Sequence, residues 1–246
     1  MRNCLNCIRL FVFTIIFNQN GVFAQPKVPL EIHPIAPNFY VYTTYHTYKG
    51  ELFPANGLFI VSSEGVIIID SPWDTTQFQR LLDTIHSISN KKAVLSIATH
   101  FHDDRIGGIT FFNTNGISTY TSLLTDSIAA SKSIPRAANH FDSDTIFHIG
   151  DMEFRTFYPG AGHTRDNIVI WFPKQKILYG GCLIKTPLDS NLGNTDDGDI
   201  KEYAQSVGKV LHKFSSARWV VPGHKQWGGI ELVKYTLKLA EIAIKD

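Results

Sequence analysis

The chain has 246 residues, 43% of them hydrophobic and 12% aromatic, which is enough for a sizeable core and too apolar for a disordered chain. A formal charge of +1, from 23 basic and 22 acidic residues, leaves no electrostatic footprint for nucleic acid. The length suits one or two compact domains.

The N-terminus reads as a secretory leader. Arg2 and Arg9 precede the short apolar segment Leu10–Phe17, and the leader closes on Val22-Phe23-Ala24, with small residues suited to a cut after Ala24. The apolar run is too short to span a bilayer. The expected division is therefore residues 1–24 as a removed signal peptide and 25–246 as the mature domain, exported to the periplasm, with no membrane association after cleavage. Cys4 and Cys7 would leave with the leader. Cys182 would remain alone, unable to form an internal disulfide, and must be buried, reactive or bound to metal.

Phe39–Tyr45, Gly57–Val61 and Gly65–Asp70 are β-branched and aromatic runs separated by turn residues, and predict an antiparallel meander. The polar segment Tyr45–Phe53, with Gly50 near its centre, fits either a protruding hairpin or an ordinary surface turn. Asp74-Thr75-Thr76-Gln77 has the form of a capping box ahead of Phe78, Leu81, Leu82 and Ile85 at helical spacing. Trp73 reads as packing at the helix entry.

Ala93–Ile97 predicts a buried strand, and Ala98-Thr99-His100-Phe101-His102-Asp103-Asp104-Arg105 follows it. In an extended chain His100, His102 and Asp104 share one face. A lone His-x-His is usually a pair of hydrogen-bonded or surface histidines. Here it is answered by His163 in Gly160-Ala161-Gly162-His163, Cys182 after Gly180-Gly181, and His224 after Pro222-Gly223. Each follows a predicted strand in glycine-rich punctuation. Imidazole, carboxylate and thiolate together are what zinc takes. His33, His46, His86, His140, His148 and His212 have no such company and read as surface or packing residues.

Farther along, Thr121-Ser122 can cap a helix through Leu123, Leu124 and Ile128. Thr145–Ile149 and Met152–Tyr158 alternate about Gly150-Asp151, and Ile168–Phe172 and Ile177–Tyr179 about Pro173-Lys174, giving two hairpins. Thr186–Gly198 is a polar loop. Asp199 caps a helix with Tyr203, Val207, Val210 and Leu211 on one face, Arg218–Val221 is a strand, and a last helix turns Leu232, Thr236, Leu239 and Ala243 inward. The expected fold is α+β: two packed mixed sheets with helices on both outer faces, a four-layer αβ/βα sandwich.

The order His-x-His-x-Asp, His, Cys, His on this framework resembles the class B metallo-β-lactamases over essentially the whole mature chain. Arg105 and Cys182, together with Gly181-Cys182-Leu183-Ile184-Lys185 and Leu192-Gly193-Asn194, are similar to subclass B1. The resemblance implies two zinc ions per chain, one held by His100, His102 and His163 and the other by Asp104, Cys182 and His224. It implies hydrolysis of the β-lactam amide in penicillins, cephalosporins and carbapenems by a zinc-bound hydroxide, with Asp104 and Asn194 as catalytic residues. Lys185 and Asn194 would bind substrate, although a solvated lysine and a turn asparagine are their ordinary readings. Tyr45–Phe53 would be a flap, and a monomer is expected. Competing readings are a thioester or phosphodiester hydrolase of the same superfamily, and a non-catalytic exported zinc-binding protein.

Overall fold

The computed structural model describes residues 28–142 and 144–245, so the leader lies outside the described residues. Twelve strands among them form two sheets. The first contains β1 (Leu30–Ala36), β2 (Phe39–Tyr48), β3 (Glu51–Val61), β4 (Val66–Ile69), β5 (Ala93–Ile97), β6 (Ser118–Ser122) and β7 (Asn139–Phe141), hydrogen-bonded in that order. The second runs from β12 (Trp219–Pro222) through β11 (Ile177–Gly181), β10 (Val169–Phe172) and β9 (Met152–Phe157) to β8 (Ile146–Ile149). Both are mixed: β5 is parallel to β4 and β6, β6 to β7, and β11 to β12, and the other pairs are antiparallel.

The sequence shows why the sheets pack on both faces. Ile67 and Ile69 of β4 point into the core between the sheets, where they meet Ile170, Phe172 and Tyr179. Val66 and Ile68, of opposite parity, meet Leu81 and Ile85 of α1 (Phe78–Ser89) and Phe112 of α3 (Ile109–Thr114) on the outer face. The second sheet does the same: Val169, Trp171 and Leu178 face outward onto Tyr203, Val207 and Val210 of α5 (Ile200–Lys213) and Leu232 and Val233 of α6 (Glu231–Ala243). Strands buried on both faces read as continuous apolar runs rather than alternations. The expected four-layer arrangement is what the chain forms.

Several local expectations shift. Asp74 does cap, accepting from Thr76 N at 2.9 Å, but the first turn is a 3₁₀ turn, Thr75–Gln77. Gln77 does not reach back to complete a box; its buried amide donates to Tyr45 O at 3.1 Å and ties the helix to the β2–β3 hairpin. In α6 the buried face is Leu232, Val233, Thr236 and Ala240, with Leu239 and Ala243 only half-buried. Asp104 lies in α2 (Asp103–Ile106), so the shared parity of an extended chain holds for His100 and His102 and ends there. Short α4 (Leu123–Ser131) is capped by Ser122, whose hydroxyl accepts from Thr125 N at 3.1 Å.

Gly57 of β3 is a glycine for a packing reason. A Cβ there would collide with the ring of Tyr42, which is fully buried and donates its hydroxyl to Asp70 O at 2.6 Å. Gly57→Ala should overpack this contact and cost about 1–3 kcal/mol. The measurement is the urea midpoint at unchanged m-value; a midpoint equal to that of the unsubstituted protein would contradict the packing described.

Candidate metal centre

The candidate residues come together at the ends of four strands. β5 delivers His100 and His102, β11 delivers Cys182, β12 delivers His224, and the loop after β9 delivers His163. Backbone bonds lock these ends across the two sheets: Ile168 N donates to Thr99 O at 3.1 Å, Gly223 N to Gly181 O at 2.7 Å, and Asn56 N to Gly223 O at 2.8 Å. Gly223 is obligatory in this crossing, because an added Cβ would lie 2.6 Å from Cys182 Sγ and 2.9 Å from an Arg105 nitrogen.

Two donor groups result. One ligand atom from each of His100, His102 and His163 lies within 4.8 Å of the others, and His100 stands within the same span of Asp104 and Cys182. His224 closes the second group, its Nε2 3.2 Å from Asp104 Oδ2 and 3.3 Å from Cys182 Sγ, with Cys182 Sγ 3.7 Å from Asp104 Oδ2. Ligand atoms about 2.0–2.3 Å from a tetrahedral zinc are about 3.3–3.7 Å from one another, so this triangle has the size that zinc requires. The orphaned atoms point the same way: His100 Nε2 and His163 Nδ1 are buried without a hydrogen-bonding partner. An isolated buried polar atom is costly, and a metal would relieve that cost.

Protonation also suits a metal. Burial depresses His100 and His163 well below the ordinary histidine value, with His102 and Lys185 respectively adding to it, and burial lowers His224 too. All three imidazoles are therefore neutral and able to donate a lone pair. His224 Nδ1 donates to Pro54 O at 2.8 Å, which leaves Nε2 as its free donor atom. Burial pushes the Cys182 thiol up to about 12, despite the pull of Arg105. It is thus no free nucleophile. Burial raises Asp104 as well, but Arg105 Nη2 at 2.8 Å and His224 outweigh it and hold the carboxyl well below its usual range.

Above these groups opens a cleft of about 340 Å³ lined by Tyr48, Phe53, Trp73, Lys185, Asn194 and Asp197, among others. Trp73 is thus a wall of the site, not merely helix-entry packing. Tyr48 of the β2–β3 hairpin tilts over it at 5.5 Å between centroids, so the hairpin covers the cleft. His46 stacks on Trp73 at 5.0 Å and packs there, as expected for a histidine outside the donor set. Lys185 is only 8% exposed, its N–H held by Thr236 Oγ1 at 2.8 Å. An added Cβ on Gly193 would come 3.6 Å from Lys185 Nζ, which sets the ammonium beside the Asn194 loop. Asn194 is exposed at the rim, and its amide oxygen accepts from Asp196 N at 3.2 Å. The turn reading of Asn194 therefore holds, while its NH₂ stays available.

The sequence did not disclose Asp70, Asn56 or Tyr179. Asp70 is fully buried at φ 64°, accepts from Thr99 N at 2.7 Å and Tyr179 OH at 2.7 Å, and so fixes the residue before His100. A non-glycine residue at positive φ just after an apolar strand is visible only in the fold.

A sandwich whose facing strand ends carry a His, Asp and Cys cradle under an apolar cleft is a metal-dependent enzyme framework. The chain belongs to the metallo-β-lactamase superfamily, whose family model matches residues 50–224. It is 42% identical over 219 residues to the metallo-β-lactamase type 2 of Elizabethkingia meningoseptica, covering 89% of this chain and 88% of that protein. Against metallo-β-lactamase IND-1 of Chryseobacterium indologenes the identity is 35% over 232 residues, covering 94% and 97%. Among solved structures, a metallo-β-lactamase from Pontibacter korlensis superposes with a TM-score of 0.84 at 36% identity, covering 87% of this chain and 99% of that one. The family and fold expected from the sequence both hold.

Cys182→Ser should weaken metal selectively at the Asp104, Cys182, His224 group while the three-histidine group keeps its ion. Titration with zinc, read by a competing chelator, measures this. A variant that binds as many ions as tightly as the unsubstituted protein would remove Cys182 from the donor set, and a substrate adduct on Cys182 in mass spectra during turnover would make it a nucleophile.

Proposed function

We propose that the protein is an exported zinc β-lactamase that hydrolyses the ring amide of penicillins, cephalosporins and carbapenems and thereby confers resistance to them. The observation that carries this reading is the convergence of six donor side chains on the floor of a cleft with the buried Lys185 beside it. The relatives named above bear the name metallo-β-lactamase, which supports the same substrate class.

We assign His100, His102 and His163 to one zinc ion and Asp104, Cys182 and His224 to a second. Bound zinc supplies Lewis acidity and a nucleophile usable at neutral pH, because it lowers the pKa of water to about 7. The chain's own residues do the rest. Lys185, buried and drawn below the ordinary lysine value by that burial, with Cys182, Asp189 and Asp104 pulling it back, receives the substrate carboxylate as a point charge. Asn194 donates its NH₂ toward the ring carbonyl oxygen as negative charge develops there. Its oxygen, held by Asp196 N, keeps that NH₂ facing the cleft. Asp104 remains a carboxylate throughout because Arg105 stands 2.8 Å away. Trp73, Phe53 and Tyr48 exclude water and grip apolar substituents.

Export rests on the basic start, apolar segment and small residues of positions 1–24, with cleavage after Ala24. Among the described residues no helix is long and apolar enough to cross a membrane. One chain supplies every group in this scheme, so a monomer suffices.

Dialysis against a chelator should abolish hydrolysis of a chromogenic cephalosporin, and zinc should restore it; activity in protein shown to be metal-free would sink the reading. A glutathione thioester hydrolysed in preference to the cephalosporin would move the protein to another activity of the superfamily. Lys185→Ala should raise KM for substrates bearing the ring-adjacent carboxylate roughly 10- to 100-fold, the worth of a charge-assisted hydrogen bond, with a smaller change in kcat. An unchanged KM across such substrates would take Lys185 out of the site.

A further inference from the structure

Outside the donor set, one chain of contacts reaches the metal site from the surface. His102 Nε2 lies 3.1 Å from Asp197 Oδ2, and Lys132 Nζ donates to the other oxygen, Asp197 Oδ1, also at 3.1 Å. Lys132 sits at the C-terminal end of α4, 5.0 Å above the Phe101 ring, and Phe101 packs edge-on to the His102 ring at 4.7 Å. The backbone of Asp197 is fixed independently, because Arg165 N donates to Asp197 O at 3.1 Å and Asp199 N to Gly162 O at 3.0 Å. Asp197 is therefore anchored to the His163 loop on one side and to His102 on the other.

We infer that Asp197 is a positioning residue for the three-histidine group, taking the Nε2 proton of His102 as a hydrogen bond so that Nδ1 is the donor atom, with Lys132 holding the carboxylate in place. A neutral imidazole has one N–H and one lone pair, and whichever nitrogen the carboxylate engages leaves the other for the metal. The ring positions agree: His102 stands 4.9 Å from His100 and 5.1 Å from His163 between centroids, edge to face with both. Because Asn194 lies three residues before Asp197 in the same loop, the bond also couples the substrate-facing rim to the floor of the site. Asp197 and Lys132 are partly exposed, so the lysine's share is screened by salt and smaller than the carboxylate's.

The inference rests on the assignment of a metal to His100, His102 and His163, and its test separates the two. Long-range ¹H–¹⁵N spectra of the histidine-labelled, metal-free protein at mildly alkaline pH read the tautomer of His102 directly, with His102→Gln identifying its signals. The expected result is the Nε2–H tautomer in the unsubstituted protein, a mixture in Asp197→Ala, and recovery in Asp197→Asn, which keeps an acceptor oxygen. Binding of the first zinc, measured by chelator competition, should fall roughly 10- to 100-fold in Asp197→Ala. Asp197→Asn should lose less, and Lys132→Met should lose less than Asp197→Ala, with the loss shrinking at high salt. Circular dichroism and the urea midpoint check folding, and Asp197→Asn carries the test if the alanine variant does not fold. An unchanged tautomer in Asp197→Ala, or unchanged first-zinc affinity with the fold intact, would overturn the role of Asp197. An unchanged affinity in Lys132→Met at low salt would overturn that of Lys132. Failure of the unsubstituted protein to bind zinc at the three histidines would instead overturn the metal assignment, leaving the tautomer result to stand by itself.

Discussion

A single guanidinium is the constraint around which this molecule closes. Arg105 is fully buried, and its nitrogens reach Asn56 O at 2.6 Å, Gly223 O at 2.7 Å, Tyr179 OH at 3.2 Å, Asp104 Oδ2 at 2.8 Å and Asp70 Oδ2 at 3.4 Å. Those partners belong to β3, the turn after β12, β11, α2 and the end of β4, so one side chain joins both sheets at the edge that carries the donors. Taking a charge out of water costs several kcal/mol unless it is paired and its remaining protons are bonded. Two carboxylates and two carbonyls meet that need, and they do so only when the two sheets are in register. The sandwich and the site are thus specified by the same contacts.

That arrangement also decides how the donors are held before metal arrives. His100, His163 and His224 are neutral because they are buried, and Cys182 keeps its proton for the same reason. Only Asp104 is charged, with Arg105 to balance it. A site assembled from ionised groups would repel itself when empty. This one stores its negative charge as a proton on sulfur that metal binding displaces, so metal affinity and fold stability are linked through the same thiol.

What the sequence disclosed follows from which forces are local. Continuous apolar runs such as Val66–Ile69 and Ile177–Tyr179 announce strands buried on both faces, and the glycine-flanked His163, Cys182 and His224 announce strand ends that approach something closely. Polar or short strands escape: Ser118–Ser122 and Asn139–Phe141 owe their existence to pairing beside β5, not to their own residues. The parity argument placed His100 and His102 correctly and treated Asp104 as a continuation, whereas α2 begins at Asp103 and a helical turn brings Asp104 inward. Asp70, Asn56 and Tyr179 were illegible because their roles are defined by partners 29 to 166 residues away. Asp197, one more acidic residue in a polar loop, is 95 residues from His102 in sequence.

The same division separates the parts of the site that can vary from those that cannot. The floor is tied to the core: Tyr203 OH donates to Leu183 O at 2.8 Å and Thr236 Oγ1 accepts from Lys185 N, so helices α5 and α6 hold the segment that runs from Cys182 to Lys185. The rim is not. Tyr48 and Asn194 are exposed, and their partners lie within their own hairpin or loop or on the opposite wall. A substitution at the rim alters what the cleft grips while leaving donor geometry alone, because no buried bond passes through it; a substitution on the floor must be answered by the second sheet. Asp197 stands at the junction, on the rim loop by sequence and against a donor histidine by contact, which makes it the position where a change in substrate-facing structure would be felt by the metal site.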